Sequence, residues 1–153
     1  VGIKSREGAY GRRCGDREGM AAALTERAWL LMASATAESD TSKAEAALVR
    51  AGRAVEEALS FSGPHGALHD RALTLQVGGH ILAQQGRIKE ASDRFLDAGL
   101  LRLSAGSPTV DDVLAALAAL PGAAAERARQ RLTEATGPAV TAETGAPPLP
   151  PAP

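Results

Sequence analysis

Thirty-three of the 153 residues are alanine, whereas Tyr10, Trp29, Phe61 and Phe95 are the four aromatic ones. Alanine is the best helix former, and sheets draw on β-branched and aromatic side chains, so this imbalance specifies an all-α chain. Each alanine also removes far less apolar surface from water than a leucine does. The core is therefore expected to be thin, with helices packed closely.

The remaining composition narrows the class further. Seventeen basic and eighteen acidic side chains give a formal net charge of -1, against a dedicated nucleic-acid binder that neutralises phosphates with Lys and Arg. Cys14 is the single cysteine, so no internal disulfide can form. No apolar run reaches the roughly 18 residues a membrane span needs, and no secretory leader is evident. A cytoplasmic chain without a membrane partner is expected. Its first residue is Val1, which fits a piece of a longer protein.

Along the chain, residues 1–17 mix Gly2, Gly8, Gly11 and Gly15 with Lys4, Arg6, Arg12, Arg13 and Arg17, and read as a flexible basic arm. From 18 to 136 the pattern is helical. Met20, Leu24, Ala28, Leu31 and Ala35 form a stripe at spacings of three and four. Ser42-Lys43-Ala44-Glu45 has the form of a capping box, opening a helix with Leu48, Ala51, Val55, Ala58, Leu59 and Phe61 inward, which Gly63-Pro64 stops. A third helix carries Leu68, Ala72, Leu75, Gly79 and Leu82, and Gly86 turns the chain. The fourth has two apolar faces, Ile88, Ala91, Phe95 and Ala98 on one and Leu96, Leu100 and Leu103 on the other, and so requires two neighbours. Thr109 is the expected N-cap of a helix over 110–120, answered by Asp112. A last helix over 123–136 ends at Gly137-Pro138, and residues 137–153 read as a disordered Pro-rich tail.

Leu75, Gly79, Leu82, Gly86, Ile88, Ala91, Phe95 and Ala98 are spaced so that small residues fall where two helices cross and large ones fill the gap beside them. In this respect the stretch of about 68–101 resembles a tetratricopeptide (TPR) repeat, a helix-turn-helix unit of roughly 34 residues. Offsets of 37 residues lead from Ala91, Phe95 and Ala98 to Ala54, Ala58 and Phe61 upstream and to Ala128, Leu132 and Ala135 downstream. The flanking hairpins are thus divergent units. The resemblance implies about six helices in antiparallel hairpins, stacked as a short right-handed solenoid. It also implies a concave groove lined by the first helix of each unit, with Leu73, Gln76, His80, Ala83 and Gln84 facing it in the central unit. These side chains are mostly neutral, unlike the basic clamp that some such domains close on a partner's terminal carboxylate.

Catalytic and metal chemistry find little support. His65 and His69 are four residues apart but belong to no H-E-x-x-H pattern, Cys14 has no identifiable base, and no serine occupies a G-x-S-x-G elbow. Gly78-Gly79 falls inside a helix, where close packing explains it better than a phosphate loop does. The expected function is a noncatalytic protein or peptide interaction domain of scaffold or regulatory type, needing no cofactor. A homodimerisation module is the first alternative, because Trp29 and Met32 belong to a helix that is apolar around much of its girth. A small-molecule-sensing helical domain is the second.

Overall fold

The computed structural model describes residues 16–61 and 67–144, with side chains as far as residue 137. Six helices account for the regular structure of the described residues: α1 (Asp16–Ala37), α2 (Thr41–Phe61), α3 (Leu68–Gln84), α4 (Ile88–Ser104), α5 (Asp111–Ala118) and α6 (Ala123–Thr144). Of the arm expected over residues 1–17, the first 15 lie outside them and Asp16 and Arg17 instead open α1; the Gly63-Pro64 stop and, of the tail expected over 137–153, residues 145–153 also lie outside them. None of the described helices is long and apolar enough to cross a membrane.

Helices joined by short turns pack as antiparallel pairs, α1 on α2, α3 on α4 and α5 on α6. Between pairs, α3 meets both α1 and α2, and α4 meets both α5 and α6. The interior accordingly forms two clusters. Ala28, Met32, Ala51, Val55, Val77 and Ile81 belong to the first, and Phe95, Leu96, Val113, Leu117 and Leu132 to the second. The central pair joins them, because α3 gives Val77 and Ile81 to one cluster while its Leu82 and Ala83 pack on the other.

Glycines set the spacing at three successive contacts. A Cβ at Gly78 would lie 3.0 Å from Val55 Cγ1 of α2, and one at Gly79 would lie 2.8 Å from the Phe95 ring of α4. At Gly99 of α4 it would lie 2.6 Å from Leu132 Cδ2 of α6. Positions related by 37 residues share this interior: Ala54, Ala91 and Ala128 are buried, as are Ala58, Phe95 and Leu132. The relation fails at the third position, where Ala98 is buried but Ala135 is exposed.

Turn chemistry explains how the central pair closes. Gly86 adopts φ 76°, the left-handed region open to glycine, and the backbone N–H of Arg87 donates to Leu82 O at 2.9 Å while that of Gly86 donates to Ala83 O at 3.0 Å. Gly106 closes α4 in the same way, with Ser107 N donating to Arg102 O at 2.9 Å.

Several local expectations are corrected. The cap of α2 is Asp40, whose Oδ1 accepts the Lys43 N–H at 3.2 Å, because a carboxylate two residues upstream of Ser42 starts the helix earlier. Thr109 Oγ1 accepts from the Asp111 N–H at 3.1 Å, and α5 starts after Val110 with no side-chain cap. Asp112 is drawn instead to Arg102. In α1 the buried face is Ala21, Thr25, Ala28, Met32 and Ala35, so Ala28 and Ala35 of the expected stripe are buried while Ala21, Thr25 and Met32 take the places expected of Met20, Leu24 and Leu31. Small side chains suit the narrow seam, and Leu24 and Leu31 flank it half-buried. Finally, α6 continues through Gly137-Pro138 to Thr144 against the expected stop; a proline disfavours helical dihedrals at the residue before it, and glycine is the residue type that this restricts least.

The close approaches predict opposite outcomes for two glycines. Gly79→Ala should destabilise the fold by about 1–3 kcal/mol, because the fully enclosed Phe95 ring has no room to retreat. Gly52→Ala in α2, where no atom lies within 4 Å of the new Cβ, should stabilise by about 0.5–1 kcal/mol. Urea unfolding of the two variants against the parent chain measures both.

Candidate functional site

The α1 and α3 seam is tight at its centre but opens toward the helix starts into a cleft of about 350 Å³. Buried Ala21 and Thr25 of α1 and Thr74 and Val77 of α3 form its floor, while exposed Ala22, Trp29 and Leu73 stand at its mouth. Trp29 is 49% exposed and Leu73 54% exposed, so two large apolar side chains face solvent beside an apolar hollow. Ala67, Glu18, Glu26 and Asp70 are the other described residues of the lining. Among the described residues, no lysine or arginine lines it.

The two threonines explain how polar atoms are tolerated in the floor. Thr25 Oγ1 and Thr74 Oγ1 are 2.8 Å apart, and each also lies within bonding distance of the carbonyl four residues earlier, Ala21 O at 2.9 Å and Asp70 O at 3.0 Å. One hydroxyl donates across the seam and the other donates to its own helix, so neither is left unsatisfied. The floor thus offers an occupant methyl surface rather than an open hydrogen-bonding group.

Further along α3, the His80 ring meets Trp29 edge-to-face with centroids 6.3 Å apart and Phe95 at 4.9 Å. A ring series therefore runs from the cleft mouth to the side chain that fills the Gly79 notch. Burial holds the His80 imidazole below its ordinary value, and the nearby Asp112 carboxylate opposes that shift. Asp112 connects α5 to the same face: its Oδ2 accepts from Gln76 Nε2 at 3.1 Å and its Oδ1 from Arg102 Nη1 at 2.6 Å. Partial burial alone would raise the Asp112 carboxyl, but hydrogen bonds from Gln76, Arg102 and the Val113 backbone, together with the Arg102 charge, bring it below the usual value.

The residues singled out in sequence are therefore distributed unevenly. Leu73 borders the cleft, Gln76 spans to α5, His80 sits half-buried behind Trp29, and Ala83 packs on the second cluster. Gln84 is exposed, with Oε1 3.4 Å from Thr36 Oγ1 of α1. Met32 lies inside the first cluster, whereas the neighbouring Leu30 is 61% exposed. The threonine pair and Ala22 were not among the sequence candidates, because the two threonines meet only across the seam, 49 residues apart in the chain.

A second hollow of about 720 Å³ among α2, α3 and α4 has a different character. Arg53, Arg87 and Arg94 alternate there with Glu56, Glu90 and Asp93, and Arg94 pairs with Glu56 at 2.5 Å while Arg87 pairs with Glu90. No group of three or more His, Cys, Asp or Glu that could hold a metal exists among the described residues; His69 lies exposed at the start of α3, and His65 and Cys14 fall outside them. No protein-family model, curated protein or solved structure matches the chain.

Two measurements follow from these contacts. Because folded His80 binds its proton less readily than the unfolded chain, stability should be constant above the ordinary histidine range and fall as the pH drops through it. His80→Gln should flatten that decline in urea midpoints between pH 7.5 and 5.5. Thr74→Val should cost about 1 kcal/mol, and adding Thr25→Val should cost little more, because the pair then leaves together.

Proposed function

We propose that this chain is a noncatalytic, TPR-like interaction module in which α1, α3 and α5 present a preformed groove to a segment of another protein. The apolar cleft between α1 and α3 carries the reading: the two clusters are closed, yet Trp29 and Leu73 stand exposed beside unfilled space. An anchor side chain entering such a hollow gains apolar burial against a rigid wall, the arrangement that concentrates binding energy in a few aromatic and aliphatic contacts. Gln76, His80 and Gln84 extend the same face and supply neutral hydrogen-bonding groups.

Selection of peptides from a random display library on the full chain tests this function. Enriched peptides should shift the emission of Trp29, the one tryptophan, and Leu73→Glu should weaken them about tenfold or more without lowering the melting temperature. Failure to enrich any peptide, or indifference to Leu73→Glu, would sink the groove.

Exposed Leu30 beside Trp29 favours self-association as the second reading. Light scattering separates the two. A dimer abolished by Leu30→Glu supports pairing of copies through α1, and a monomer over the whole concentration range supports a groove that awaits a different partner.

A further inference from the structure

We infer that the α1/α3 cleft selects a basic peptide segment carrying an apolar anchor; this rests on the groove reading and adds the chemistry of the partner. Charge complementarity carries it. Among the described residues the ionisable members of the lining are Glu18, Glu26 and Asp70, all exposed and of one sign, in a chain whose charges nearly cancel overall. On the same helix Arg27 is turned away, lining a crevice with Arg50 and Arg53 of α2. The α2/α3/α4 hollow, by contrast, mixes both signs and pairs them, so it lacks the one-sign charge of the cleft.

The spacing of the acids explains why one segment can meet both demands. Glu18, Ala22, Glu26 and Trp29 recur at intervals of four and three along one ridge of α1, and Asp70 stands across the seam on α3. An apolar side chain inserted between Ala22 and Leu73 would reach a floor whose threonine hydroxyls are already satisfied. Lysine or arginine residues flanking that anchor would then fall beside the carboxylates, and the exposed Trp29 ring offers a face on which a cationic group can rest. An acidic segment would meet like charge on both sides of its anchor. A neutral one would keep the apolar contact and lose the steering.

The full chain is titrated at low salt with three 14-residue probe peptides lacking tryptophan, with leucines on one helical face and lysine, glutamine or glutamate elsewhere, and Trp29 emission is followed. The lysine peptide should bind about tenfold more tightly than the glutamine peptide, lose most of that advantage at high salt, and exceed the glutamate peptide by a wider margin. Combined Glu18→Gln, Glu26→Gln and Asp70→Asn should reduce the lysine peptide to the level of the glutamine one, as should Glu26→Lys alone. Glu45→Gln with Glu134→Gln, exposed on α2 and α6, should change nothing. Equal affinity for the three peptides, or an unaffected triple variant with an unchanged melt, would overturn charge selection while leaving the groove standing. If no peptide perturbs Trp29, the groove reading falls and this inference falls with it. Octylammonium binding as tightly as the lysine peptide and displacing it would also overturn the inference, making the occupant a small apolar cation.

Discussion

The approach of Phe95 to Gly79 is the contact on which the remaining packing depends. A ring can lie within 3 Å of a site where any other residue would carry a Cβ only because α3 has no side chain there. Gly78 makes the same concession to Val55 on the neighbouring face, so two consecutive glycines let α2 and α4 close on α3 together. The cost of two glycines within a helix, about 1 kcal/mol each relative to alanine, is offset by burial on both sides. Helices rich in alanine have few large side chains with which to bridge a wide gap. Close axes replace bulk as the source of contact density.

The cleft follows from the same constraint. Where α3 meets the C-terminal half of α1, buried Met32 and Ala35 fill the interior with Ile81. Toward the helix starts α1 offers Ala21, Ala22 and Thr25, and these small side chains leave a hollow where larger ones would have sealed the seam. His80 then connects the two regions, touching the cleft wall at Trp29 and the interior at Phe95. Its burial between rings, rather than a charged partner, accounts for the shift of its imidazole.

Much of the architecture was legible in the chain itself. The alanine excess specified helices, and Gly79, Gly86, Ala91 and Phe95 marked the central pair because close crossing and a left-handed turn each admit few residue types. The buried face of α1 was less legible, since alanine and threonine take the seam and leucines flank it, the reverse of a pattern that equates size with depth. Gly99 lay in plain view, but its partner Leu132 is in another helix, and proximity across the fold has no local signature. The floor was hidden for the same reason. Thr25 and Thr74 are 49 residues apart, and either one alone reads as an ordinary polar residue on a helix surface.

That threonine pair gives the floor an unusual electrical property. With one proton on each oxygen, the pair has two complete arrangements, one in which Thr74 donates to Thr25 and one in which the donation is reversed. Passing between them rotates two hydroxyl groups and exchanges which helix carbonyl is bonded, Ala21 O or Asp70 O, while every heavy atom stays in place. The local dipole at the base of the cleft changes direction in the process. A rigid apolar wall thereby has a base whose polarity can realign with the charge of whatever lies above it, on the timescale of hydroxyl rotation rather than of helix movement.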